Sequence, residues 1–161
     1  MKSPTMLKET QIFQYLDENQ MKKIETLAVE KTYKAGTVLY REGDPAKTFY
    51  IITDGKVVLD MKIDMGPSAP PMNVTIDVIT RGEEMGWSIF VEPHIFTVSA
   101  LCINASKALI FDAKKLRALM NQDVALGFNV MKGATKLIAT RFHHTRNILI
   151  GERGMHFLPS Y

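Results

Sequence analysis

The chain has 161 residues, 46% of them hydrophobic and 23% charged, the size and balance of one globular domain, which excludes disordered and fibrous classes. No apolar run approaches the ~20 residues that span a bilayer, and the polar start Met1-Lys2-Ser3-Pro4-Thr5 has no apolar signal core, so neither a membrane anchor nor secretion is expected and a cytoplasmic location is. The net charge of +3 is concentrated after Val130, where Lys132, Lys136, Arg141, Arg146 and Arg153 face the single acid Glu152; the solvated face of a helix explains such a run, with a nucleic-acid surface as the alternative.

The N-terminal part, residues 7–29, reads as helical. Asp17 can cap a helix whose third residue is Gln20, a capping-box pattern, and Met21, Ile24, Leu27 and Ala28 follow at helical spacing.

From about Glu30 to Asp112 the period changes to two. Thr48-Phe49-Tyr50-Ile51-Ile52 leads through Asp54-Gly55, a dipeptide that tight hairpins prefer, into Val57, Leu59, Met61 and Ile63, which share one face while Asp60 and Lys62 share the other. Val74, Ile76 and Val78 alternate with Asn73, Thr75 and Asp77, and Phe96, Val98, Ala100 and Cys102 alternate again. Lys107–Phe111 is the last strand, and the proline-rich stretch 66–71 reads as a mobile hairpin tip. Many short strands at this spacing predict a sandwich or barrel-like roll. Cys102, the sole cysteine, falls on an apolar strand face and reads as a buried, inert thiol in a reducing compartment.

After Phe111 the chain is helical again. Asp112 caps a short helix through Met120, and a longer helix spans about Asp123 to Ile150. Along it Val124, Phe128, Met131, Thr135, Ile138, Phe142, Thr145 and Leu149 recur three or four residues apart, a narrow seam that predicts packing partly on the roll and partly on a second copy. Gly127 and Gly133 inside this helix point to a hinge or a close contact. The organisation expected is a single domain over 1–161: helical part 7–29, roll 30–112, helices 113–150 and tail 151–161.

The run Tyr33-Lys34-Ala35-Gly36-Thr37-Val38, then Glu42-Gly43-Asp44-Pro45-Ala46, Phe49-Tyr50-Ile51-Ile52 and Asp54-Gly55-Lys56-Val57, behind an N-terminal helix, resembles the cyclic nucleotide-binding domain family, over about residues 13–148. The resemblance implies an α+β fold, an antiparallel β-roll of jelly-roll type with a long C-terminal dimerisation helix. Its glycines sit at sharp turns and speak for fold more than for ligand.

In that family a cassette binds the cyclic phosphate. A Gly-Glu pair opens a short helix, and a Pro-Arg with two small residues follows. The arginine is a fork-shaped partner for phosphate. Here Gly86 and Pro93 match, Trp87 stands at the glutamate position, His94 at the arginine position, Ile95 and Phe96 where small residues sit, and Thr97 at a common hydroxyl position; Ser88 follows Trp87. Thr145 and Arg146 fall where the family's long helix meets the purine. Losing an arginine that bonds a charged group removes roughly 1.5–3 kcal/mol, about tenfold to a hundredfold in affinity. Weak or absent binding of cAMP and cGMP is therefore expected.

Other groups have their own readings. Trp87, the one tryptophan, either plugs the pocket or stacks on a flat ligand. Glu83-Glu84 read as a solvated acidic turn. His94 with His143 or His144 would suit haem or a metal if the long helix folded over the pocket, as in some relatives of this fold; unrelated histidines are the alternative. There is no His-x-His pair of cupin type, no nucleophile triad, no phosphate loop and no zinc-type cysteine spacing, so no enzyme is expected. The residues after the long helix are too few for a winged-helix reader, so sequence-specific DNA binding by this chain alone is not expected. The expected function is a ligand-sensing regulatory homodimer, with a small-molecule effector and a protein partner as the candidate ligands. A structural or interaction dimer with a plugged pocket is the second reading and a haem or metal sensor the third.

Overall fold

The computed structural model describes residues 4–154, and side chains from Met6 to Asn147. The side chain of Leu149 and the tail beyond Gly154, with His156, lie outside the described residues. Two short helices come first, α1 (Pro4–Glu9) and α2 (Glu18–Leu27). The capping box forms as the sequence predicts: Asp17 accepts from the Gln20 amide at 2.8 Å and Gln20 accepts from the Asp17 amide at 3.2 Å, a cap that stabilises a helix by roughly 1 kcal/mol.

Eight strands follow: β1 (Val29–Tyr33), β2 (Val38–Tyr40), β3 (Thr48–Asp54), β4 (Val57–Ile63), β5 (Met72–Ile79), β6 (Glu84–Met85), β7 (Ser99–Cys102) and β8 (Ser106–Asp112). They form two antiparallel four-stranded sheets, in the orders β1-β8-β3-β6 and β2-β7-β4-β5, facing each other across an apolar core as a β-roll. Phe13 from the segment between α1 and α2 meets Phe111 edge-on at 5.4 Å and Phe49 at 6.4 Å, closing one end of that core.

Two local expectations are corrected. Asp54-Gly55 makes the predicted turn, with Gly55 at φ 88°, but it does not join hairpin partners: β3 pairs with β6 and β8, and β4 pairs with β5 and β7. The turn carries the chain from one sheet to the other. A Cβ on Gly55 would lie 2.6 Å from the Ala105 carbonyl oxygen, so the close approach as well as the positive φ requires glycine. Second, the alternation predicted for β5 breaks. Leu59 faces Asp77 and Asp60 faces Thr75, leaving Ile76 as the extra residue of a bulge. A one-residue slip exchanges the two faces of a strand. Val78 is accordingly exposed, and Asp77, expected on the polar face, turns inward. The 66–71 stretch does lie at the β4–β5 hairpin tip.

Asp112 caps α3 (Ala113–Gln122), accepting from the Lys115 amide at 2.9 Å. Asp123 caps α4 (Val124–Gly154), accepting from the Leu126 amide at 3.0 Å; the helix ends beyond the expected Ile150. Its inner face is Leu126, Val130, Ala134 and Leu137, all buried. Gly133 lies on this face, and a Cβ there would stand 2.1 Å from the Ile12 carbonyl oxygen. Thus α4 lies on the N-terminal segment, backbone against backbone. The basic residues of α4 are largely spoken for: Lys132 sits over the Tyr15 ring at 4.4 Å, Lys136 donates to the Gln14 side chain at 2.9 Å and Arg141 pairs with Asp77. Lys132 and Lys136 stay exposed, as a solvated helix face has them, while also reaching the body of the same chain; Arg141 is partly buried. Most of the predicted seam (Val124, Phe128, Met131, Thr135, Phe142) lies on the opposite, exposed side of α4.

Candidate functional site

The β6 strand ends at Gly86, whose φ of 89° turns the chain into a single 3₁₀ turn, Trp87–Phe90. A Cβ at Gly86 would lie 2.9 Å from the Thr48 carbonyl oxygen, so only glycine lets this turn lie flat against β3. Between the turn, the β4–β5 hairpin and α4 is a pocket of about 150 Å³, lined by aromatic and aliphatic groups from Tyr40, Leu59, Ile76, Trp87, Phe96 and Val98. Gly86, Ser88, Thr97 and Thr145 also line it, as do Asp77, Glu84 and Arg141.

Of the residues singled out from the sequence, Gly86, Trp87, Ser88, Phe96, Thr97 and Thr145 are brought together here. His94, Ile95 and Arg146 are not. His94 has φ 58°, and this left-handed kink turns its ring away from the pocket, into a separate cleft beside Lys47 and Arg117, with Nδ1 3.4 Å from the Ser88 carbonyl oxygen. Ile95 bridges to Pro45 and is 42% exposed. Arg146 is exposed; five positions beyond Arg141, it lies about 140° round the helix. His143 and His144 are exposed on α4, so they do not converge with His94, and among the described residues no group of three His, Cys, Asp or Glu is placed to hold a metal ion.

Phe96 points inward and stacks on Tyr40, ring centroids 3.7 Å apart and planes 12° apart. The backbone fixes this orientation: the Phe96 amide donates to the Asp44 carbonyl at 2.9 Å, and the Gly43 amide donates to the Phe96 carbonyl at 2.8 Å. Beside the stack, burial holds the Tyr40 hydroxyl well above the usual phenol range, so it stays protonated.

Eight lining residues escaped the sequence reading: the apolar Tyr40, Leu59, Ile76, Met85 and Val98, and the charged Asp77, Glu84 and Arg141. Arg141 donates through Nη1 to Asp77 and through Nη2 to the Glu84 carbonyl at 3.4 Å, with the Glu83 carboxylate at 3.6 Å. The Asp77 and Arg141 side chains are 17% and 23% exposed, so this pair is screened less than a surface ion pair. A signal for Arg141 existed: it continues the line Leu126, Val130, Ala134 and Leu137, a second stripe at helical spacing. Asp77 is aimed inward by the bulge. Glu84, read as solvated, is 4% exposed and accepts from the Ile12 amide at 3.1 Å. It ties the pocket floor to the segment on which Gly133 rests.

Burial pushes the Glu84 carboxyl above its ordinary value of 4.5, against the opposing pull of the Ile12 and Gln11 amides and Arg141. A carboxyl raised on folding favours the fold fully below its unfolded pKa, and that advantage is lost as pH rises through the folded value. Wild-type stability measured against Glu84→Gln should therefore decline from about pH 4.5 toward neutrality, because the glutamine carbonyl can keep the Ile12 bond and does not titrate. Urea titrations of both proteins from pH 4 to 7 check this; parallel curves would show that Glu84 does not titrate with folding.

The family model for the cyclic nucleotide-binding domain matches residues 30–123, more than half of the sequence. The chain belongs to the cyclic nucleotide-binding domain family. Its fold is shared with a cyclic nucleotide-binding domain from Methylobacillus flagellatus KT (16% identity, 92% of this chain and 85% of that one, TM-score 0.76). It is shared as well with a candidate cyclic nucleotide-binding protein from Geobacter metallireducens GS-15 (24% identity, 89% and 100%, TM-score 0.74). The catabolite activator protein of Thermus thermophilus is similar over 87% of this chain and 62% of its own length (19% identity, TM-score 0.69). A comparison with curated proteins gives no match. The family's fold thus stands; of the two residues that the resemblance sets at the cassette's glutamate and arginine positions, Trp87 lines the pocket and His94 lines the separate cleft. Among the described residues no helix is long and apolar enough to cross a membrane.

Proposed function

We propose that this chain is a non-catalytic regulatory module that senses a small molecule in the pocket beneath α4, and that it is not a high-affinity receptor for cAMP or cGMP. The observation that carries this reading is the Phe96–Tyr40 stack, which fills the cassette's inner wall while the arginine position faces another cleft. The remaining volume, about 150 Å³, is well below the roughly 300–1,000 Å³ of ordinary ligand pockets. A space is nevertheless left, which favours sensing over a plugged, purely structural role.

α4 is the natural output element. It contributes Arg141 and Thr145 to the pocket and, on its far side, exposes Val124, Phe128, Met131 and Phe142. A ligand that prefers one position of α4 shifts the population of the surface presented to a partner. The proposed partner is a second copy of this chain, since the exposed residues recur at the three- and four-residue spacing with which two identical helices interlock.

Calorimetric titration with cAMP and with cGMP tests the ligand statement. The expected result is no saturable heat at submicromolar concentration for either. A submicromolar Kd would overturn it and would mean that Arg141 and backbone amides replace the missing cassette contacts.

A further inference from the structure

We infer that the pocket beneath α4 takes an uncharged, single-ring organic molecule and discriminates against anions. The inference rests on the ligand-sensing reading above and names the ligand class. Size is the first argument. A cavity of about 150 Å³ matches the engineered protein cavity of ~150 Å³ that admits benzene, and a nucleotide with base, ribose and phosphate does not fit such a space. The walls are the second. Tyr40, Trp87 and Phe96 present ring surfaces, and Leu59, Ile76 and Val98 supply aliphatic ones, so a flat apolar ring gains both burial and stacking.

Charge is the third and decides against an anion. Arg141 is the only cation among the described lining residues, and it is already engaged by Asp77, with Glu83 close by. Two carboxylates therefore surround one guanidinium, and the Glu84 carboxyl in the pocket floor adds no positive charge. An incoming carboxylate or phosphate must compete with Asp77 for Arg141 and meets the displaced carboxylate as a like charge. A neutral ring leaves the pair intact. Ser88, Thr97 and Thr145 offer hydroxyls for one polar substituent without adding charge.

The test uses phenol and benzoate, rings of similar size that are neutral and anionic at pH 7, with cAMP as a third probe. Trp87 is the single tryptophan and lines the pocket, so its fluorescence, excited beyond the phenol band, reports occupancy, with the thermal midpoint as a second readout. Phenol should bind saturably and benzoate at least about tenfold more weakly, the reverse of a site with a free arginine. Asp77→Asn frees Arg141 and should raise the ratio of benzoate to phenol affinity by about tenfold. Benzoate or cAMP binding wild type as tightly as phenol would overturn the inference and leave ligand sensing standing. No saturable response to any of the three probes would overturn the inference and also count against ligand sensing. If Asp77→Asn does not fold, the wild-type phenol-to-benzoate ratio alone decides.

Discussion

Gly133→Ala should destabilise the protein by about 2 kcal/mol or more, although alanine is the better helix former. In an exposed helix the substitution would gain ~1 kcal/mol. Here the new Cβ would stand 2.1 Å from the Ile12 carbonyl oxygen and 2.7 Å from that of Gln11, both backbone atoms that no rotamer change can move aside. Either α4 lifts or the segment between α1 and α2 shifts, and forced overpacking of this kind typically costs 1–3 kcal/mol, occasionally more. The damage should reach the pocket, because the Ile12 amide is the Glu84 partner. Urea denaturation measures the loss, with Thr140→Ala on the exposed side of α4 as the control, expected within about 0.5 kcal/mol of wild type. A stabilised Gly133→Ala protein would mean that α4 does not lie against Ile12 in solution.

The same contact shows what local sequence can and cannot reveal. Asp17 and Gln20 form their box because cap and partner are three residues apart, and nothing distant competes. The Asp54-Gly55 turn was legible for the same reason, but its strand partners were not. A turn is set by four residues, whereas pairing is set by which apolar faces meet across the whole roll. Asp77 was placed on the wrong face because strict alternation assumes no bulge, and the extra residue Ile76 shows only in the register against Leu59 and Asp60. The resemblance sets His94 at the arginine position after Pro93, but a motif position does not fix where a side chain goes when its residue adopts φ 58°. Glu84 looked solvated beside Glu83 because its partner, the Ile12 amide, is 72 positions away. Of the apolar lining, Trp87 and Phe96 were legible through the resemblance, whereas Tyr40, Leu59, Ile76, Met85 and Val98 come from segments that only the closed roll brings to the pocket. The charged part of the site depends on a bulge, a kink and a helix docking that are properties of the assembled chain.

The far face of α4 carries the other large effect. Phe128 and Phe142 should hold two copies of this chain together, and Phe128→Asp combined with Phe142→Asp should give a monomer. Phe128 is 69% exposed and Phe142 65%, so most of each ring's burial energy is still unrealised in the single chain. Full burial of a phenylalanine is favourable by roughly 1.5–3 kcal/mol, so four such rings in a symmetric pair, each gaining about 1–2 kcal/mol, sum to roughly 4–8 kcal/mol. At about 1.4 kcal/mol per decade, removing them weakens association by about a thousandfold or more, and the aspartates add like-charge repulsion across the two-fold axis. Neither ring is part of the inner face that holds α4 to its own body, so the variant's folding in urea should stay near the wild type's apart from the loss of association, which makes its stability independent of protein concentration. Light scattering at micromolar concentration reads the mass directly. A wild-type monomer would remove the dimer from the proposal. A dimeric double variant would place the interface elsewhere and detach the output surface from the helix that contributes Arg141 to the pocket.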